Sequence, residues 1–526
     1  MKKLLATVCW FAVTTIAVLS FVGPLHSQSA SPQTVGLEKV DMSVVEKVRD
    51  EGLNRSHIPG DVQYLTDVIG PRLTGSPAMK RASEWAAQKM REYGLENVHL
   101  EAYEFGRGWE EVSYFGRMTE PFVRPLNGRS QAWTGSTKGL QKGPAVLVTA
   151  EALKDPAKYG KQWKGAWILP GATFKPRDVT VPPPPLRLSV EDLLALPPLA
   201  QQTPPSPAET DARTKLRIAN FQRALENDKL LRESGALGIL RRSFFKDGIL
   251  EGSSIMSDTV GSLLKPGGPE VLPNIVLADE DFWLISRNVA RGIPVSVEFN
   301  IQNRFLDGDG MAHNTIGEIP GTDKREEIVV LGAHLDSWHM GTGATDNAAG
   351  SMIALEAMRI LKAIAPRPRR TIRLALWSGE EPELPERSYL GSSAYVQAHA
   401  VDLDKISACL EVDHGTGRIR GISSFFNPYA VPIFEQLFRP LRDLGVVAVR
   451  HRRRTGDCGS FDEKGVPGFI FVQDPIEYDT KTHHTNIDTF EALVLDDLKQ
   501  AAVVMAYTAY HLAMRDEMFP REPKAK

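Results

Sequence analysis

Cysteine is scarce in this 526-residue chain, with only three copies, so a disulfide-stapled scaffold is excluded and the fold must rest on its hydrophobic core. An excess of one charge sign is lacking too. With 62 basic against 65 acidic side chains there is no overall attraction to nucleic acid or to an anionic membrane, and neither is expected as a partner. A long apolar run stands at the N-terminus, where Leu4 to Val22 follows Lys2 and Lys3 and gives way to Pro24 and small polar residues. This reads as a signal peptide over residues 1–30, cleaved after Ser27, Ser29 or Ala30. The competing reading is an uncleaved anchor. Removal of the leader predicts a secreted or periplasmic protein with no stable membrane insertion. Cys9 is lost with the leader. The sequence leaves open whether the remaining Cys409 and Cys458 pair or stay free.

The length exceeds what one core usually supports, and 42% apolar residues are available to fill two or more domains. Residues 40–94 carry helical periodicity, with Gly94 as a stop and the turn PRLTGSP at Pro71 to Pro77. We assign 31–125 to the N-terminal part of the main domain and 126–304 to a β-rich insert. Within the insert, residues 181–207 hold nine prolines, too many for a helix or central strand, and are expected to form an exposed excursion. A charged helix from about Thr214 to Ser234 follows and stops at Gly235. Residues 305–526 alternate strands and helices, the mark of an α/β sheet flanked by helices. Glu327 to Ala333 (EIVVLGA) is a continuous apolar strand, expected to be buried on both faces. Leu495 to Met514 is a helix long enough to cover one sheet face.

Six metal-seeking side chains are spread over 151 residues, from His334 to His484. They are His334, Asp346, the adjacent pair Glu380 and Glu381, Asp413 and His484. Several fall directly after predicted strands, where open α/β sheets place their sites. Two histidines and three carboxylates suit two zinc ions, with one carboxylate left as a base, and the pattern reads as a hydrolase. In His-x-Asp (AHLDSW), Asp336 is placed to hydrogen-bond the imidazole of His334 and fix its tautomer. Asp346 in GATDNAAG suits either a helix N-cap or a ligand shared by two metals. On extended backbone Glu380 and Glu381 would point to opposite sides, one toward metal and one toward water. Asp413 after a buried strand needs a partner to offset its desolvation. His484 lies in HHTNIDT, with Asp488 placed to orient it and His483 as a competitor for the metal.

Taken in order, His-x-Asp, GATDNAAG, GEE followed by LGSSAYV, EVDHG and HHTxxDT resemble the co-catalytic zinc exopeptidases of metallopeptidase family twenty-eight, most closely its carboxypeptidase Q branch. RLTGSP at Arg72 to Pro77 matches that branch too. The resemblance implies a mixed central sheet flanked by helices with a β-rich protease-associated insert, and small peptides as substrates. It implies that Asp346 bridges the metals, that His334 and Asp413 complete one site, and that Glu381 and His484 complete the other. It gives Glu380 the role of general base and implies a cis peptide after Asp346. His483 stands where some relatives have tyrosine, which suggests either a donor to the oxyanion or a surface residue. The connection PELPERSYLGSS after Glu381 is longer than the family's usual turn. Some relatives dimerise, and a homodimer is left open. The expected activity is hydrolysis of short peptides with a free N-terminus, as by an aminopeptidase or dipeptidase; competing readings are a carboxypeptidase acting at the C-terminus, a glutaminyl cyclase-like acyltransferase with one functional zinc, and a noncatalytic receptor-like ectodomain.

Overall fold

Among the described residues, branched and aliphatic runs form sixteen strands in the computed structural model: β1 (Glu96–Glu104), β2 (Gly108–Glu120), β3 (Arg124–Pro125), β4 (Gly128–Ser130), β5 (Gln141–Val148), β6 (Trp167–Pro170), β7 (Gly238–Arg242), β8 (Asn274–Leu277), β9 (Ser296–Leu306), β10 (Met311–Ile319), β11 (Lys324–His334), β12 (Arg370–Trp377), β13 (Ile406–Glu411), β14 (Ile419–Ser423), β15 (Ala448–Arg450) and β16 (Gly468–Gln473). The structure describes residues 36–171, 174, 180, 182–195, 207–252, 264–269, 271–382, 389–425, 427–450 and 456–522. The leader at 1–30, most of the PELPERS connection and Arg452 to Arg454 lie outside the described residues.

The strands build two eight-stranded sheets. The first runs β1-β10-β12-β11-β13-β16-β14-β15, and the second β3-β2-β9-β5-β6-β7-β8-β4. In the first, β12, β11, β13 and β16 are parallel neighbours, while β1 and β10 add antiparallel strands on one side. Side chains of β11 alternate between two cores, as the apolar run predicted. Val329, Leu331 and Ala333 pack with helices Ala349–Ile364 and Leu495–Met514, while Ile328 and Val330 join Trp377, Tyr395, Cys409 and Phe461 on the opposite face. Cys409 of β13 is disulfide-bonded to Cys458 in the helix Asp457–Asp462, which settles the pairing.

The second sheet already begins at β2, inside the 31–125 segment, because β2 pairs along nearly its whole length with β9. One face packs Trp167, Phe299 and Ile275 against Phe282, Trp283 and Ile285 of the helix Asp279–Ala290. The other receives Leu231 of the helix Pro207–Glu233, which starts earlier than its charged pattern suggests and ends before Gly235 at φ +82°. A third cluster joins the sheets: Leu73, Tyr103 and Trp338 meet Trp109, Trp133 and Val271.

The described part of the proline-dense segment, 182–195, is exposed for most of its length, as expected. It is nevertheless anchored. Arg187 pairs with Asp474 and Asp497, Leu188 N–H donates to Asp474 Oδ1, and Leu193 is buried in the short helix Val190–Leu194. Among the described residues no helix is long and apolar enough to cross a membrane.

Candidate metal centre

Parallel pairing puts the ends of β12, β11 and β13 side by side, so residues distant in sequence meet at one edge. His334 is the last residue of β11 and is 1% exposed. Its Nδ1 lies 3.0 Å from the backbone carbonyl of Asp336, which fixes that nitrogen as the N–H and leaves the Nε2 lone pair free. Nε2 faces Asp413 Oδ1 at 3.1 Å and Asp346 Oδ1 at 3.2 Å. The other oxygen of Asp346 faces His484 Nε2 at 3.3 Å, and Glu381 Oε2 lies 3.1 Å from the same nitrogen. Asp346 therefore stands between the two histidines, one oxygen toward each.

Asp346 is not the cap of the following helix. It lies in the turn Ala344–Ala348 with non-helical φ −130° and ψ 87°, and its peptide bond to Asn347 is cis. Asn347 takes the capping work, its Oδ1 accepting from Gly350 N–H at 2.8 Å and its Nδ2 donating to Val412 O at 2.9 Å.

The Glu380–Glu381 pair departs from the extended geometry expected of it. Gly379 has φ +73°, so the chain turns, and both acids fall on the site rather than on opposite sides. One oxygen of Glu380 lies within 4.8 Å of ligand atoms of His334 and Asp413, and one of Glu381 within 4.8 Å of His334 and Asp346. A third such group comprises Asp346, His483 and His484. All seven predicted metal and catalytic residues thus meet at one place.

The two supporting acids do different work from that expected. The Asp336 carboxylate lies 3.6 Å from His334 Nδ1, beyond hydrogen-bond range. It accepts instead from Thr74 Oγ1, from Gly379 N–H at 3.0 Å and from Glu381 N–H at 3.3 Å, so it holds the glutamate turn. Asp488 accepts from the N–H groups of Thr345 at 2.6 Å and Asp346 at 3.1 Å, so it holds the aspartate turn rather than His484. Both acids satisfy backbone donors that a tight turn leaves unpaired.

Burial pushes the Glu381 carboxyl well up, and Asp346 adds to this; burial and then Asp413 do the same to Glu380, with His334 opposing. Among the described residues the basic side chains within 4 Å of these acids are histidines, not lysine or arginine. Asp346 Oδ2 and Glu381 Oε2 are buried and accept no hydrogen bond although His484 Nε2 is close to both. Buried carboxylate oxygens that converge on an imidazole without a hydrogen bond form a donor set that fits a cation, and imidazole with carboxylate suits a divalent ion of the zinc type.

Three neighbours escaped the sequence reading. Arg72, fully buried, and Thr74 support the loops; their segment was noted only as a matching motif. Tyr478 packs 4.9 Å from the His483 ring, and burial, then Asp346 and Asp413, keep its phenol protonated. Its place six residues before His484 was the available signal. His483 itself is half-exposed and stacked 3.8 Å from His484.

Residues 314–509 match peptidase family M28. The matched segment carries every candidate ligand, and with the relatives below it supports a metallo-exopeptidase. It is similar over nearly its whole length to human carboxypeptidase Q, with 27% identity covering 94% of this chain and 92% of the relative. The bovine carboxypeptidase Q is 29% identical, covering 92% and 89%. A solved peptidase M28 precursor from Shewanella amazonensis shares the fold with TM-score 0.65 and 24% identity, covering 92% of this chain and 99% of that one. A zinc aminopeptidase from Bacillus subtilis shares it with TM-score 0.57 and 19% identity, covering 89% and 96%.

Proposed function

We propose that the chain is an exported, zinc-dependent exopeptidase that hydrolyses short peptides bearing a free N-terminus. The observation that carries the reading is Asp346, which offers one oxygen toward each of two histidines. On it, His334 and Asp413 would hold one ion and Glu381 and His484 the other, with Asp346 offering an oxygen to each. Bound zinc supplies Lewis acidity toward a peptide carbonyl and lowers the pKa of an attacking water toward about 7. Glu380, beside His334 and Asp413, takes the proton of that water and delivers it to the leaving amine. His483 and Tyr478 flank the same space and are placed to donate to oxygen as charge develops there. The second sheet, read as a protease-associated-like insert, walls the cleft: Ser130 O meets His339 Nε2 at 2.8 Å, and Glu251 bridges Thr485 beside the histidine pair.

Preference for a free amine is supported by Glu251. Its half-buried carboxylate has no hydrogen-bond or ion-pair partner among the described residues, and His484 and His483 are the groups whose charge would oppose the cost of its burial. An ammonium group is its natural counterpart. The carboxypeptidase reading draws on the names of the relatives that cover the whole chain. Mass spectrometry of zinc-loaded protein with a peptide panel, free or blocked at either end, separates the two. Trimming of free N-termini with N-blocked peptides untouched is the expected result. Trimming from C-termini despite an N-terminal block would move the assignment to a carboxypeptidase, and no cleavage would reject the enzyme reading.

A further inference from the structure

The segment from Gly70 to Thr74 holds none of the metal-seeking residues, yet it touches both loops that carry them. Arg72 is completely buried and spends its guanidinium on backbone carbonyls rather than on an acid. It donates to Leu335 O at 2.8 Å, Gly70 O at 2.9 Å, Thr342 O at 2.7 Å and Gly343 O at 2.8 Å. Leu335 directly follows His334, and Gly343 lies three residues before Asp346, so one side chain ties both ends of the loop joining two ligands. The backbone of Arg72 adds two bonds to the same loop, its N–H donating to Ser337 Oγ at 3.0 Å and its carbonyl accepting from Ser337 N–H at 3.2 Å.

Thr74 reaches the second loop. Its hydroxyl donates to Asp336 Oδ2 and accepts from Gly379 N–H at 3.2 Å, while Asp336 Oδ2 also accepts from Gly379 N–H at 3.0 Å and Glu381 N–H at 3.3 Å. A threonine or serine can donate and accept at once, and a valine of the same shape can do neither. The glutamate turn is thus fixed through two groups, one of which depends on a single hydroxyl. The guanidinium also places a permanent positive charge near Asp488, Asp336, Glu381 and Asp346, whose charges favour its ionised form against burial. Metal ligands lose affinity when the groups that orient them are removed.

We infer that Arg72 and Thr74 are positioning residues of the metal centre. Thr74 acts through Asp336 on the Glu380–Glu381 turn, and Arg72 acts through the carbonyls of Leu335, Thr342 and Gly343 on the loop from His334 to Asp346. This rests on the reading that these ligands hold two zinc ions.

The test compares full-length wild type, Thr74→Val, Thr74→Ser and Arg72→Lys. Zinc affinity is measured by competition with a chromophoric chelator, and kcat and KM are measured on a peptide that the panel identifies. Thr74→Val is expected to weaken zinc binding and lower kcat by about 10–100-fold each with KM little changed, and Thr74→Ser to recover most of both. Arg72→Lys, which reaches fewer carbonyls, is expected to lose zinc affinity while keeping its circular dichroism spectrum. Wild-type zinc affinity in Thr74→Val, or an equal loss in Thr74→Ser, overturns the role of Thr74; wild-type affinity in Arg72→Lys overturns that of Arg72. Failure of the wild type itself to bind two zinc ions would instead overturn the underlying reading.

Discussion

The two sheets are built alike and used differently. Each has eight strands, a parallel stretch beside antiparallel ones, and apolar packing on both faces. In the first sheet the parallel strands β12, β11 and β13 lead into Glu380 and Glu381, His334 and Asp413. In the second, β5, β6, β7 and β8 lead into Thr149, Gly171, Ser243 and Ala278. Among the described residues, every group of three or more histidine and acidic ligand atoms that fits an ion belongs to the first sheet. Convergent strand ends therefore supply a place for chemistry, and the loop residues decide whether chemistry occurs there. The second sheet and its β7–β8 connection instead pack beside that site, through Ser130 at His339 and through Leu250 to Gly252. Leu250 N–H donates to Asn486 Oδ1 at 2.7 Å, on the loop that carries His484.

The strongest way to sharpen this contrast is to remove the proposed base while keeping the site. Glu380→Gln preserves shape and leaves the proposed ligands in place, so it is expected to lower kcat roughly 10²–10⁴-fold with two zinc ions still bound. Steady-state rates and metal analysis on the same preparation check it. Retained rate in the zinc-loaded variant would remove Glu380 from the role of base.

Much of the contrast was readable from the residues. EIVVLGA announced a strand buried on both faces, and Leu495–Met514 is the helix its pattern described. That the candidate residues would meet was readable because their spacing follows strand ends, and the structure brings them together. What the sequence did not reveal are bonds between segments distant in the chain. Asp336 and Asp488 serve backbone N–H groups of turns whose shape depends on Gly379 at positive φ and on the path around Asp346, and side-chain identity carries no signal of that. The bond between Cys409 and Cys458 was hidden for the same reason, since it depends on the helix Asp457–Asp462 packing beside β13.

A second test asks whether an acid of the second sheet behaves as a buried liability rather than as a functional group. Asp228, on the helix Pro207–Glu233, is 3% exposed, and its Oδ1 accepts from Leu272 N–H at 3.0 Å. Burial pushes its carboxyl up to about 6. The folded state thus holds the proton more tightly than the unfolded state, whose aspartates titrate near about 4. Stability from this group is full below about pH 4 and is lost as pH rises through about 6. Asp228→Asn keeps the acceptor and removes the charge. It is expected to be more stable than wild type by on the order of 1–3 kcal/mol at pH 8, with the gap closing toward pH 4, and to leave the rate at the metal centre unchanged. Denaturant unfolding at the two pH values measures it, and a gap that does not change with pH would sink the assignment.

The smallest expected effect concerns the arm that ties the two regions together. Residues 182–195 leave the second sheet's part of the chain and lie against the first sheet at β14 and β16. Ile476 N–H donates to Leu186 O at 3.0 Å, and Arg420 Nη1 donates to Leu188 O at 3.0 Å. Arg187 is 40% exposed, whereas its partners Asp474 and Asp497 are buried; Asp474 keeps a bond from Arg420 Nη1 at 2.9 Å and Asp497 one from Arg418 N–H at 3.1 Å. Removing Arg187 therefore does not strand a buried charge, and the water-exposed half of the pair loses little. Arg187→Ala is expected to cost about 1 kcal/mol or less in global stability. Its larger consequence is local. With one anchor gone, the exposed backbone between Pro182 and Leu194 opens more often, and limited proteolysis there should quicken several-fold while unfolding midpoints barely move. Unchanged cleavage would mean that Leu193 and the backbone bonds hold the arm without Arg187, and that the charge pair is a consequence of docking rather than its cause.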